Sequence, residues 1–207
     1  MNTSQYRISK DRLLKTLENW DSLMNFKVNI IACGGTALTL MDIKESTKDV
    51  DFIVPIISEC ERLIKFLRNI GYVDGAGGLV HENDPFFIYQ FWSGANVFTT
   101  ELLNSPLNEG QNIPIRKWKK IYLGALNLND LITTKIFRGT GVDIQDCLEV
   151  LKKKDVDPWR LYKHYKETAD YDINPDKVMI NFINFIERLY SEGLATDEFL
   201  KEVMSCR

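Results

Sequence analysis

No stretch of this sequence approaches the roughly 18 consecutive apolar residues that a bilayer-spanning helix needs, so no transmembrane helix is expected. The first residues, MNTSQYRISKDRLLK, lack the apolar centre of a secretory signal. The expectation is a cytoplasmic chain with no membrane partner. Zinc-type spacing is also missing. The four cysteines, Cys33, Cys60, Cys147 and Cys206, are scattered, and only two histidines, His81 and His164, could join them. The cysteines read as idle thiols in a reducing compartment. A strong excess of either charge is absent too: the formal net charge is -3. That excludes a chain-wide, charge-driven grip on DNA or RNA but leaves room for a local basic pocket. Repeats, low-complexity tracts and flexible linkers are lacking.

What is present is an ordinary globular composition, with 207 residues, 44% hydrophobic and 27% charged. A chain of this length buries roughly 70% of its unfolded surface and needs no covalent staples. Residues 9–24 carry Leu13, Leu14, Leu17, Trp20 and Met24 at helical steps, with Ser9 as a cap. VNIIAC (28–33) reads as a buried strand, Gly34-Gly35-Thr36 as a break, and ALTLMDI as a short helix. DVDFIV (49–54) is a second strand, and residues 58–70 form an amphipathic helix stopped by Gly71. FFIYQFW (86–92) and NVFTTEL (96–102) read as a strand and its return across Ser93-Gly94, followed by a loop with Pro106, Gly110 and Pro114. KIYLGAL (120–126) reads as a last edge strand.

From residue 128 the pattern is helical to the end, including a helix capped by Asp157 with Pro158 in its first turn. Its Arg160, Lys163 and Lys166 read as a solvated face, with the border of an RNA or nucleotide acceptor site as the alternative; the aromatics Trp159, Tyr162, Tyr165, Phe182, Phe185 and Tyr190 read as core, with a homodimer contact as the alternative. The expected fold is α/β (α+β): a small mixed sheet with flanking helices over residues 1–126, and a helical region, 127–207, packed on it.

Two glycines followed by a helix let a ligand approach the main chain, and the first amides of a helix suit phosphate. The plain alternative is a tight turn capped by Thr36. After a spacer of twelve residues, 37–48, comes Asp49-Val50-Asp51. Side chains two apart on a strand share a face, and two carboxylates ~6 Å apart repel by roughly 3 kcal/mol at an effective dielectric of 20. A hard divalent cation, magnesium or manganese, would offset that repulsion. An innocent, solvated strand start is the alternative.

The combined motif GGTALTLMDIKESTKDVDF resembles the nucleotidyltransferase superfamily that includes DNA polymerase beta, whose signature is Gly-Gly or Gly-Ser, a spacer, then Asp-x-Asp on a strand. The later LNDLITTKIFRGTGVDIQDCLEVL resembles uncharacterised prokaryotic nucleotidyltransferases and relatives of abortive-infection toxins, with Lys135 followed by Asp143 and Asp146. The resemblance covers residues 28 to about 152. It implies an NTP substrate held by Gly34, Gly35 and Thr36, Mg2+ or Mn2+ on Asp49 and Asp51, and Lys135 reaching phosphate oxygens. It implies transfer of a nucleotide monophosphate to an RNA or protein acceptor. Lys48 reads as a surface or phosphate-steering charge, and for Lys135 a solvated helix lysine is the alternative. The superfamily's third carboxylate is expected near residues 96–100, where this chain has Asn96, an amide that can coordinate but not take a proton. A catalytically impaired nucleotide- or metal-binding regulator, or one part of a toxin-antitoxin pair, is therefore the alternative.

Overall fold

The computed structural model describes residues 6–205. Cys206 and the first five residues of the leader reading lie outside them. In chain order the elements begin with β1 (Ile8–Ser9), α1 (Lys10–Leu23), β2 (Val28–Ala32), α2 (Gly34–Leu40), β3 (Ser46–Thr47), β4 (Val50–Val54) and α3 (Ile57–Asn69). There follow β5 (Tyr72–Gly75), β6 (Gly78–His81), β7 (Asp84–Ser93), β8 (Asn96–Val97), β9 (Thr100–Glu101), β10 (Asn112–Lys117) and β11 (Ile121–Leu126). Five helices complete the chain: α4 (Leu128–Arg138), α5 (Gly141–Lys153), α6 (Pro158–Ala169), α7 (Pro175–Ser191) and α8 (Asp197–Met204). The architecture is mixed α/β. Among the described residues, no helix is long and apolar enough to cross a membrane.

The contacts divide the chain into two compact units. One comprises residues up to Val97 together with Asn104–Asn127; the other comprises Phe98–Leu103 and the chain from Leu128 onward. The first unit holds a seven-stranded sheet in the order β10-β11-β2-β4-β7-β6-β5. The pairs β11–β2 and β4–β7 are parallel and the others antiparallel. Every residue of β4 is buried, as befits a central strand, and Asp51 is its one polar residue. Register assigns the faces. Ala32 pairs with Phe52 and Phe52 with Phe91, and on that side Trp20 of α1 packs within 5.5 Å of the Tyr89 ring and 6.3 Å of Phe91. Trp20 also donates its indole N–H to the Tyr72 hydroxyl at 3.1 Å. The opposite face carries Asn29, Ile31, Ile53 and Asp51. There the Glu59 carboxylate of α3 accepts hydrogen bonds from the backbone N–H and side-chain amide of Asn29.

Three strand expectations change. Residues 96–102 do not return as a sheet strand: β8 and β9 are two-residue pieces outside the seven-stranded sheet, and Phe98, with φ of 53°, breaks the extended run. Residues 121–126 are not an edge, because β10 pairs outside them. Pro114 sits in that edge strand, where a missing N–H is tolerated, next to a register shift before Arg116. The hairpin β5–β6 was not expected, and its turn contains Gly77 at φ 91°.

The second unit is built on an aromatic core. Tyr165 and Phe182 stack with centroids 4.3 Å apart, Phe137 meets Tyr165 edge-on at 4.9 Å, and Trp159 meets Phe199 at 4.9 Å. Phe185 is fully buried, but Trp159 of α6 and Tyr190 of α7, expected in the core, are exposed; Arg160, Lys163 and Lys166 face solvent. Helix starts are capped as their sequences require. Asp157 accepts from the amides of Trp159 and Arg160, and Thr140 and Asp143 form a reciprocal capping box at α5.

Candidate functional site

Where β2 ends, Cys33 is still extended and Gly34 turns the chain with φ of 55°. A left-handed angle here favours glycine. Space imposes the same choice. A β-carbon on Gly34 would lie 2.6 Å from Oδ2 of Asp51, and one on Gly35 would lie 2.6 Å from the Thr47 hydroxyl. The first amides of a helix have no partner within it, and the Cys33 side chain supplies no cap. The helix that follows is short, seven residues, with Thr36, Ala37, Leu38, Thr39 and Leu40 buried.

Thr36 ties this bend to β4. Its hydroxyl accepts the Asp51 N–H at 2.9 Å and donates to the Asp49 carbonyl at 3.3 Å. The Thr47 hydroxyl donates to the same carbonyl at 2.9 Å, and the Cys33 N–H donates to the Asp51 carbonyl at 3.1 Å. Thr36 thus acts as a clamp between helix start and strand, not as the helix cap. Asp51 is buried, with 7% of its surface exposed, and its carboxylate is set against the glycine bend. Asp49 is half-buried and precedes the strand, which begins at Val50; Lys48 is exposed.

The strand beside Asp51 is β7, and its residue in register is Gln90. Gln90 shares the face of Asp51 and donates its amide to the Gly77 carbonyl at 3.0 Å. Asn96, expected at the third-acid position, is exposed on β8 outside that sheet. The one acid within β7, Asp84, forms an ion pair with Arg12. Among the described residues, no group of three or more His, Cys, Asp and Glu is placed to hold a metal ion. Sequence reading missed Gln90 because strand register follows from pairing, not from local pattern.

Lys135 lies in the second unit and is buried. Its ammonium is 2.8 Å from Oδ2 of Asp146 and 3.5 Å from Oδ1 of Asp143. Asp143 further accepts from Arg138 Nε at 2.7 Å and from the Thr140 hydroxyl at 2.6 Å. Burial pushes the Asp143 carboxyl up, but the hydrogen bonds of Arg138 and Thr140 and the charge of Lys135 outweigh it and hold the group below its ordinary value. In the same unit His164 Nε2 and Asp130 Oδ1 are 2.7 Å apart. Cys147 lies fully buried against this network, and burial pushes its thiol far up.

Residues 11–192 match a family described as "Nucleotidyltransferase of unknown function (DUF6036)". The chain belongs to this nucleotidyltransferase family. DUF6036 membership agrees with the superfamily that the Gly-Gly and Asp-x-Asp motif resembles. Among solved structures, the chain is similar to an antigenic nucleotidyltransferase-like protein from Paracoccidioides brasiliensis. The identity is 13%, the TM-score 0.48, and the match covers 89% of this chain and 93% of the other. No curated protein matches.

Proposed function

We propose that this DUF6036 protein is a metal-dependent nucleotidyltransferase that moves a nucleotide monophosphate from an NTP to an RNA or protein acceptor. The observation that carries the proposal is the close set of the Asp51 carboxylate against Gly34, where a β-carbon would fall 2.6 Å from Oδ2. Asp51 and half-buried Asp49 offer hard oxygen donors. Magnesium takes one or two carboxylates and completes its shell with water and substrate phosphates, so this small donor set fits Mg2+ or Mn2+. When bound, the ion supplies neutralisation of phosphate charge.

The chain's own residues then have distinct tasks. Gly34 and Gly35 let Asp51 and Thr47 pack directly against the bend, and a phosphate group would meet the amides at the start of α2. Asp51 and Asp49 hold the negative side of the site, and Thr36 fixes the strand that carries them at hydrogen-bond distance from the bend. Exposed Lys48 adds a steering charge. Catalysis of this kind rests on positioning and charge, with little covalent chemistry asked of the protein. Incubation with labelled NTPs, Mg2+ or Mn2+, and RNA or protein acceptors tests the proposal. Label transfer that falls at least ~100-fold in Asp51→Asn is expected, a scale consistent with loss of one preorganised charge contact. No transfer to any acceptor with either metal would sink it.

One observation favours a second reading: an impaired binding module, such as a regulator or toxin-antitoxin component. Gln90, not an acid, stands beside Asp51, so the strand neighbour offers no base. Under this reading NTP and Mg2+ raise the melting temperature without turnover. A ligand at 100 times its dissociation constant adds about 2.7 kcal/mol.

A further inference from the structure

We infer that the turn between β10 and β11 is a binding site for the phosphate backbone of single-stranded nucleic acid. The segment reads Arg116-Lys117-Trp118-Lys119-Lys120, four cations around one indole in a chain whose net charge is -3. The turn is closed by the Trp118 N–H donating to the Ile121 carbonyl at 2.8 Å. Lys120 is held by Asp21: its ammonium donates to the Asp21 carbonyl at 3.1 Å, and its N–H and that of Ile121 donate to the Asp21 carboxylate. Lys27 joins the cluster across a cavity of about 330 Å³ whose walls include Lys117, Trp118, Lys119 and Tyr122.

Two acids are nearby, Glu59 in the cavity wall and Asp21 beneath the turn. Both accept backbone hydrogen bonds that anchor β2 and β11. Five cations against two acids leave the site three charges positive. Among the described residues, Lys27, Lys117 and Lys119 are exposed, and none of their ammonium groups has a hydrogen bond or ion pair. Unpaired ammonium groups clustered on one rim repel one another, and a polyanion relieves that repulsion.

The aromatic component narrows the partner. The Arg116 guanidinium lies 5.1 Å from the centre of the half-buried Trp118 ring, a cation–π pair that leaves the planar guanidinium outermost, and arginine of this kind contributes to single-strand contacts. The hairpin presents no exposed large apolar side chain, which a membrane-docking element would insert. The site is also separate from the glycine bend. Val28 and Ile121 pair at this end of the parallel strands β2 and β11, whereas Gly34 follows the other end of β2. Five strand residues at ~3.3 Å each put roughly 17 Å between them. The inference concerns binding alone and stands whether or not the protein transfers nucleotides.

Fluorescence anisotropy of a labelled 20-nucleotide single-stranded RNA, titrated with the full chain at several salt concentrations, tests it. Three neutralised phosphates predict a log–log salt slope of roughly -2. The double variant Lys117→Glu, Lys119→Glu should weaken binding at least ~10-fold and flatten that slope, because each phosphate contact contributes about -0.7. Its melting temperature should stay that of the parent, since neither side chain supports the fold. Asp51→Asn should bind as the parent does. Binding that the double variant leaves intact, loss of binding in Asp51→Asn, no salt-dependent binding at all, or tighter capture by phosphatidylserine vesicles than by RNA would each overturn the inference.

Discussion

The carboxylate of Asp51 and the α-carbon of Gly34 are packed so closely that a methyl group on the glycine would meet Oδ2 at 2.6 Å. The bend and the acid are therefore one unit, and neither can change without moving the other. The sequence separates them by sixteen intervening residues, which fold as α2, β3 and the links between them.

Gly34→Ala is expected to fail on two counts, the left-handed φ of 55° and the collision with Asp51. Strain at such an angle costs roughly 1–3 kcal/mol. In a domain of this size each kcal/mol lowers the melting temperature by about 2–4 °C. The variant should melt several degrees low and lose any NTP-dependent thermal shift. An alanine variant with the parent's melting temperature would show that the bend is not tightly packed.

The register of β4 and β7 gives the second prediction. Gln90 pairs with Asp51, while Asn96 is exposed outside the sheet. Gln90→Glu places a new acid beside Asp51 at nearly constant volume, although it removes the hydrogen bond to the Gly77 carbonyl. Calorimetric titration with Mn2+ should then show several-fold tighter binding than in the parent. Asn96→Asp should change Mn2+ affinity little. The opposite ranking of the two variants would place the third ligand near residue 96.

These positions differ in how far the sequence could reveal them. The helices were legible because apolar residues recur at helical steps and Ser9 and Asp157 mark two of their starts. The pairing of the glycine bend with Asp51 was legible as a motif, because a strand, a turn and a second strand leave few routes back. Gln90 was not: its place beside Asp51 depends on which strand pairs with β4, and a parallel partner forty residues away leaves no local trace. β10 was hidden by Pro114, which reads as a loop residue until the strand is seen to be an edge. The Arg116–Lys120 turn is masked by the chain's net charge of -3, in which a local cationic cluster averages away.

Asp143 supplies a pH prediction. Its folded carboxyl lies below the ordinary value of 3.8, first burdened by burial and then more than compensated by Arg138, Thr140 and Lys135. A depressed acid contributes stability that is complete above the unfolded value and is lost as pH falls through the folded value. Urea midpoints should therefore fall steeply for the parent below about pH 4. Asp143→Asn should be weaker at pH 7 but less sensitive to acid, so the two curves converge on acidification. Parallel curves down to pH 2 would mean that Asp143 titrates alike in both states.

Lys135 allows a test of whether its ammonium serves the fold, the phosphates, or both. Its Nζ is buried 2.8 Å from Asp146 and 3.5 Å from Asp143, on helices α4 and α5 of the second unit. Lys135→Met removes one partner and leaves two carboxylates with less compensation. Breaking a buried pair in this way costs roughly 3–5 kcal/mol, whereas replacing both partners with apolar groups is often close to neutral. Adding Asp146→Leu to Lys135→Met should therefore recover part of the loss in a urea titration, with Arg138 still paired to Asp143. If the ammonium also meets phosphate, the folded double variant will show a weaker NTP-dependent shift, measured from its own ligand-free melting temperature, than the parent. An unchanged shift in that folded double variant would confine Lys135 to holding α4 and α5 together.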